Sequence, residues 1–440
     1  MSQKLWNFAF RRTRRQAATF AVAQGAQENL SESLPVVIET ANVPVYLFAP
    51  KEEVEPEAIQ QLIKLAESPM PVGFVSAMPD VHLGKGVTIG TVFASEAYIA
   101  PHAVGVDIGC GMCAVPVDGL FKDQIERKSL VQIQNLIKKY IPTGRHEHKN
   151  PLQQAKETIA DISDESNIPS SWLEEALHDK KVANQLGTLG GGNHFIEVVY
   201  DEATEQVWIM LHSGSRNIGN KSAMHHDGIA KDWLAREGLD TPTGLNYMPI
   251  ASDEGKRYLQ DMEWCQRYAF HNRRFMLDLV AGAVEKVTKR TPDTSRVVNI
   301  HHNYCQCERC SWTDPTTGQQ MEKSLWVTRK GATSAQHGQL GLIPGNMGVG
   351  SFLTRGKGNS ASWNSCSHGA GRAMSRKKAM ANIKQEDFVA QMAGIICDTD
   401  AKVRDEAPNA YKDLTKVMAN QKDLVDVELR LLPLINVKGF

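Results

Sequence analysis

The run DMEWCQRYAFHNRRFMLDLVAGAVEKVTKR, residues 261–290, constrains the fold most. Its apolar residues recur at helical spacing from end to end, and it is too long for a strand. Strand-like segments surround it. PVVIETANVPVYLFAP (35–50) reads as two short strands, EQVWIMLHSGSRNIGN (205–220) as an apolar strand ending in a polar, glycine-bearing turn, and RVVNIHHNY (296–304) and SLWVTRKGATSA (324–335) as two more. Ile59, Leu62, Ile63 and Leu65 mark a helix over 55–68, and 120–185 and 221–291 read as mostly helical. Helices return from 386, before the chain closes on LLPLINVKGF. Strands and long helices follow one another without a regular βαβ beat. That order predicts an α+β fold rather than a doubly wound sheet.

At 440 residues the chain can bury a large core, and no internal repeat or Pro/Gly/Ser-rich linker divides it. With 49 basic and 50 acidic residues the net charge is −1, which excludes a uniformly basic nucleic-acid coat. Any polyanion site must be a local concentration of charge. No apolar run approaches the ~20 residues needed to span a bilayer, and no secretory core follows Met1. Residues 1–35 read as a basic extension, and FRRTRRQAATFAVAQGAQ within it suits an organellar transit peptide or a basic tail. The eight cysteines form no disulfide framework, so a reducing cytoplasm is the expected compartment.

One compositional shift stands out. Lys323 to Gln385 contains no Asp or Glu, yet carries ten basic residues and ten glycines. Acid-free, glycine-rich segments suit close approach of backbone N–H groups to phosphates. Within it, NSCSHGAGRAMSRKKA (364–379) places His368 before Gly369, Ala370, Gly371 and Arg372. A neutral imidazole with small neighbours is a competent nucleophile, and a nearby guanidinium stabilises a phosphoryl group in transfer.

In AVGVDIGCGM (103–112), Asp107 and Cys110 stand three apart among Gly105, Gly109 and Gly111. A carboxylate and a thiolate on such a turn can reach one cation. His194 in GTLGGGNHFIEV, His212 in IMLHSGSRNIG and His302 in NIHHNYC each border a turn. Together these five side chains offer donors for two metal ions if the thiolate bridges them. Thiolate and imidazole point to zinc, and the carboxylate admits manganese. MPDVHLGKG (78–86) offers Asp80 as a base or an orienting group and Lys85 as a phosphate contact, or simply an Asx-type turn. Cys305, Cys307 and Cys310 resemble half a zinc site or a redox-sensitive loop.

In order along the chain, MPDVHLGKG, AVGVDIGCGM, LGTLGGGNHFIEV, LHSGSRNIGN, HHNY, VTRKGA, IPGNMG and CSHGAGRAMSR resemble the motifs of the RtcB RNA-splicing ligases. The resemblance implies a single large catalytic domain of mixed sheets with peripheral helices over 36–440. It implies an enzyme that uses GTP and two Mn²⁺ ions to join RNA ends bearing a 2′,3′-cyclic phosphate or 3′-phosphate to 5′-hydroxyl ends. His368 would take GMP covalently and pass it to the RNA 3′-phosphate, where the 5′-hydroxyl displaces it. Asp107, Cys110, His194, His212 and His302 match the metal ligands, and Asp80 the acidic residue near them. Asn193, Glu197, Ser351, Tyr411, Lys438 and the segment Gly369–Ala370–Gly371 match GTP contacts. Arg216, Lys85 and Arg372 match RNA or phosphate contacts. A monomer and an archease-like activator are further implications. Asn346 stands where relatives carry Ser, and the Cys305–Cys310 cluster, SWTDPTTGQQ (311–320) and the first ~35 residues are not typical. A two-metal phosphoesterase, or a relative specialised in capping 3′-phosphate ends, is the alternative.

Overall fold

GMCAVPV, at the start of the Gly111–Phe121 strand, is apolar on both sides, as befits a strand covered on both faces. The computed structural model describes residues 33–163, 168–241 and 244–439, so all but the last three residues of the basic extension over 1–35, and its targeting reading, lie outside the described residues. The Gly111–Phe121 strand is second in a seven-stranded antiparallel sheet. Its order is Val298–His301, Gly111–Phe121, Gln206–Ser213, Phe195–Asp201, Val425–Lys438, Ser351–Gly356 and Leu340–Pro344. Cys113, Val115 and Val117 face one core, while Met112 and Ala114 face another, the period-two alternation of a strand.

A 36-residue helix, Asp253–Thr288, covers the first face. Ser252 caps it by accepting from the Gly255 N–H at 3.0 Å, and Asp253 and Glu254 complement the dipole of its first turn. Met276, Leu277, Val280 and Val284 bury their stripe against the sheet together with Ile133 and Ile137 of helix Arg127–Tyr140. Each such side chain contributes about 1.5–3 kcal/mol. The predicted periodic run thus lies wholly inside helix apart from its last two residues. The mostly helical segment 120–185 contains Arg127–Tyr140, Ala155–Ile162, Ser171–Leu177 and Lys181–Gln185.

A second, six-stranded sheet runs Val36–Ile38, Val45–Leu47, Val72–His82, Ile89–Ser95, Gln320–Lys330 and Asn303–Thr313. Its one parallel pairing joins Val45–Leu47 to Val72–His82. The two sheets meet in the chain at His302: a strand of the seven-stranded sheet ends at His301 and a strand of the six-stranded sheet begins at Asn303. An α+β fold was expected and is what the structure has.

Two local expectations are corrected. Residues 216–220 are not a turn but the first residues of helix Arg216–Arg236, because a carboxylate from far away in sequence, Asp107, accepts from the Ser215 N–H at 3.2 Å. The strands expected over 296–304 and 324–335 are present, but Cys305–Cys310 is not a loop: it continues the first of them into one long hairpin, paired from Asn303↔Lys330 to Thr313↔Gln320, with 311–320 at its far end.

Candidate active site

Strand register gathers the donors. Gly111 pairs with both Ser213 and His301, so Cys110, His212 and His302 sit side by side at the ends of three neighbouring strands. Phe195 pairs with His212, which brings in His194. The His302 N–H donates to the Cys110 carbonyl at 2.8 Å, and the Cys110 N–H to the Asp107 carbonyl at 3.1 Å. The turn is glycine-built for a reason. Gly109 has φ +72°, and a Cβ there would lie 2.9 Å from both the Gln266 Cα and the Ala269 Cβ of the long helix. At Gly214 a Cβ would stand 2.2 Å from Asp107 Oδ1.

The donor atoms converge. Cys110 Sγ is 3.2 Å from His212 Nε2 and 3.4 Å from His194 Nε2. His194 Nε2 is 2.9 Å from Asp107 Oδ2, and His212 Nε2 is 3.1 Å from His302 Nε2. They form two groups, Asp107–Cys110–His194 and Cys110–His212–His302, which share the thiol. His194 Nδ1 lies 2.8 Å from the Leu189 carbonyl and His212 Nδ1 3.1 Å from the Asn193 carbonyl. Those carbonyls accept only an N–H, so each Nε2 is left with its lone pair facing the cluster. Burial and neighbouring imidazoles drive His212 and His302 well below the usual histidine range, so both are neutral. Burial and Asp107 push the Cys110 thiol well up, a state that a bound divalent cation reverses. This donor set therefore fits cations.

Arg273, which the sequence reading passed over, braces the cluster. It is fully buried on the long helix. It donates to the carbonyls of Gly109 (2.8 Å) and Ser213 (3.0 Å) and to Asn299 Oδ1 (2.7 Å), with a further contact to His301 Nδ1 (3.1 Å). Three of these partners are chain neighbours of Cys110, His212 and His302. The adjacent Asn272 accepts from the Gly187 N–H at 2.8 Å and donates to the Gly214 carbonyl at 3.0 Å.

His368 stands against this cluster. Its ring centroid is 4.9 Å from that of His302, edge to face, and its Nδ1 is 2.7 Å from Asp80 Oδ2. Burial opposes ionisation of Asp80, but His368, His82 and Lys412 outweigh it and hold the carboxyl below its ordinary range. The Gly369 N–H donates to the same oxygen at 3.3 Å. Gly371 has φ +71°, and a Cβ there would sit 2.4 Å from the Asp80 carbonyl. The glycines therefore let the His368 loop lie directly on Asp80.

A cavity of about 310 Å³ opens beside His368. Asn193, Glu197, Ser351, Gly369, Ala370, Gly371, Tyr411 and Lys438 all line it, as do His212 and His302. Burial pushes Glu197 up to about 7 against the pull of Asn436 and Lys438. The sequence reading missed Glu406, the hub of the far wall. It accepts from Lys438 Nζ at 2.6 Å, Tyr411 OH at 2.8 Å and Arg376 Nη1 at 2.5 Å, and pairs with Arg372 at 3.2 Å. Burial opposes its charge, but these cations hold Glu406 down at about 2. Asn346 lines the cavity yet turns its Oδ1 into its own loop, accepting from the N–H groups of Gly348 and Val349.

The three expected RNA or phosphate contacts fare differently. Arg372 lines the cavity, but its guanidinium is engaged by Glu406 and the Asp405 and Met374 carbonyls. Arg216 adjoins Asp107 and His194 in a second cavity and donates to Thr188 Oγ1 and the Gly144 carbonyl. Lys85 is exposed and does not line the His368 cavity.

Two sheets of an α+β fold thus enclose a thiol–imidazole–carboxylate cluster, a half-buried imidazole and a cavity large enough for a small-molecule ligand. The family model described as "tRNA-splicing ligase RtcB" matches residues 61–439, and the chain belongs to the RtcB family. It is 40% identical over 418 residues to the RNA-splicing ligase RtcB of Escherichia coli K12, covering 92% of this chain and 99% of the relative. It is 30% identical to the RNA-splicing ligase RtcB of Mycobacterium tuberculosis H37Rv, covering 86% of this chain and 100% of the relative. Identity to the tRNA-splicing ligase RtcB of Methanococcus maripaludis is 29%, covering 83% and 88%.

Proposed function

We propose that the chain is an RNA ligase that joins 2′,3′-cyclic phosphate or 3′-phosphate ends to 5′-hydroxyl ends, with GTP as co-substrate and His368 as nucleophile. The observation that carries this reading is the placing of His368 between the donor cluster and the cavity, with Asp80 behind it. Asp80 faces Nδ1, which leaves Nε2 as the attacking nitrogen. Its lone pair forms an N–P bond to the α-phosphorus of GTP, pyrophosphate leaves with the electron pair of the broken P–O bond, and Asp80 balances the positive charge that develops on the ring. Lys438, Arg372 and Arg376 line the same cavity and supply positive charge for the nucleotide phosphates.

We assign two Mn²⁺ ions to Asp107, Cys110, His194, His212 and His302, with Cys110 shared. When bound, such ions supply Lewis-acid stabilisation of phosphoryl oxygens. A two-metal phosphoesterase would give neither His368 nor the Glu406–Lys438 wall a role. The monomeric state, the archease-like activator and the single catalytic domain are carried by the family resemblance. A cytoplasmic site of action fits the free thiols of all eight cysteines. Among the described residues no helix is long and apolar enough to cross a membrane.

The test is incubation with α-labelled GTP and Mn²⁺ followed by denaturation. Acid-labile, alkali-stable label is expected on the wild type and none on His368→Ala. Equal labelling of the two would overturn the nucleophile assignment.

A further inference from the structure

A cavity of about 530 Å³ opens on Asp107 and His194, and another of about 650 Å³ borders Glu406 and Lys438 of the nucleotide wall. The two share Gly144, Arg145 and Gly191. A continuous trough therefore leads from the nucleotide cavity to the outer face of the donor cluster, with Arg145 at its junction. We propose that this trough holds the sugar–phosphate backbone of a single RNA strand away from its reacting end. Arg145 is the principal phosphate contact, and Lys181 and Lys402 lie further along the trough in opposite directions. The assignment of the strand as RNA rests on the ligase reading above.

Charge is the first argument. Arg145, Lys181 and Lys402 are exposed, and among the described residues none of their side chains has an ion-pair or hydrogen-bond partner. Three of the trough's four carboxylates face Arg376 or His194, and only Glu147, held by a neutral amide, stands against the three cations. Asp405 and Glu406 pair with Arg376, Asp107 faces His194, and Glu147 lies 3.5 Å from the Gln185 amide. Unpartnered cations therefore prevail along a path that ends at a phosphoryl-transfer site, the arrangement that attracts a polyanion.

The floor is the second argument. Gly191 and Gly192 carry no side chain, and a Cβ built at Gly192 meets no atom within 4 Å. A phosphate can approach the backbone there without obstruction. The loop that carries Arg145 is also braced. The Gly144 N–H donates to the Gly190 carbonyl at 2.7 Å, and Arg216 donates to the Gly144 carbonyl at 3.1 Å and to Thr188 Oγ1 at 2.9 Å. Arg216, expected from its motif to touch RNA, holds the platform, while the free cation on that platform is Arg145.

The experiment measures equilibrium binding of dye-labelled strands of about 12 nucleotides to the full chain with Mn²⁺ and without GTP. One strand carries a 3′-phosphate and a 5′-phosphate; the other has hydroxyls at both ends. Arg145→Ala is expected to weaken at least one strand about tenfold and to flatten its log K against log[salt] slope by roughly 0.7, with Arg145→Lys restoring both. The strand that responds identifies which RNA end occupies the trough. Wild-type affinity within twofold for both strands in Arg145→Ala and Arg145→Glu, at every salt concentration, overturns the proposal. GTP labelling is followed in parallel. Absence of label on the wild type defeats the ligase reading, whereas normal labelling with unchanged strand binding defeats only the trough.

Discussion

Two cysteine-bearing regions of this chain behave in opposite ways. Cys305, Cys307 and Cys310 lie within six residues of one another, yet among the described residues they build no donor set. They occupy one strand of a continuous hairpin, where side chains alternate between faces. Cys305 and Cys310 are therefore on opposite faces and about 17 Å apart along the strand. Cys305 instead accepts from Thr328 Oγ1 in the core, and burial pushes its thiol up to about 12. Cys110 has Cys113 as its only cysteine neighbour within a hundred residues. Its partners are Asp107 and histidines from three other segments, and strand register brings them within 3.4 Å of one another in a chain of contacts. Density in sequence is thus a poor guide to a site, whereas convergence at strand ends is a good one.

The sharpest way to break this contrast is Cys110→Ala. Loss of the shared donor is expected to lower divalent-cation affinity and His368 labelling by about 100-fold or more, read by metal content after dialysis and by retained label. Full labelling at normal metal content would remove Cys110 from the centre. Asp80→Asn comes next. It keeps the shape but removes the charge beside His368 Nδ1, so the labelling rate is expected to fall roughly 100-fold while metal content is unchanged.

Glu406 extends the comparison to stability, being another residue whose partners come from distant segments. Its carboxyl titrates at about 2 in the fold against an ordinary 4.5. The unfolded chain therefore binds more protons between those values. The stabilisation is complete above about pH 4.5 and is lost as pH falls toward 2. Glu406→Gln leaves Lys438 and its neighbours uncompensated and is expected to cost about 3 kcal/mol at neutral pH, with a weaker acid dependence below pH 4.5 in denaturant melts. The smallest effect is expected at Cys307→Ser. This residue is exposed, so stability should change by less than about 0.5 kcal/mol, and labelling by less than twofold. A large loss of bound metal there would erase the contrast.

Much of the site was legible because its chemistry is short-range. Glycines around Asp107–Cys110 and after His368 report close approach of backbone to side chain, and Gly109, Gly214 and Gly371 each leave no room for a Cβ. Arg273 was not legible. In DMEWCQRYAFHNRRFM it reads as a polar interruption of an amphipathic stripe, and only the assembled sheet reveals three acceptors facing it, the Gly109 and Ser213 carbonyls and Asn299 Oδ1. Glu406 lies in a short 3₁₀ segment, Ala401–Glu406, with no periodic signal. The Arg216 helix was hidden because Asp107 caps it across 108 residues, and the hairpin because cysteines and charges obscure its alternation. For Arg273, Glu406 and the Arg216 helix the deciding partner lies about thirty residues or more away in sequence, whereas the hairpin's partner strand is adjacent.

The position of the Val425–Lys438 strand has a consequence for biosynthesis. It lies inside the seven-stranded sheet, between Phe195–Asp201 and Ser351–Gly356, and delivers Lys438 to the cavity wall. A nascent chain from which residues 425–438 have not emerged therefore carries two unjoined half-sheets with bare inner edges and an incomplete pocket. Those edges need shielding until translation reaches that segment.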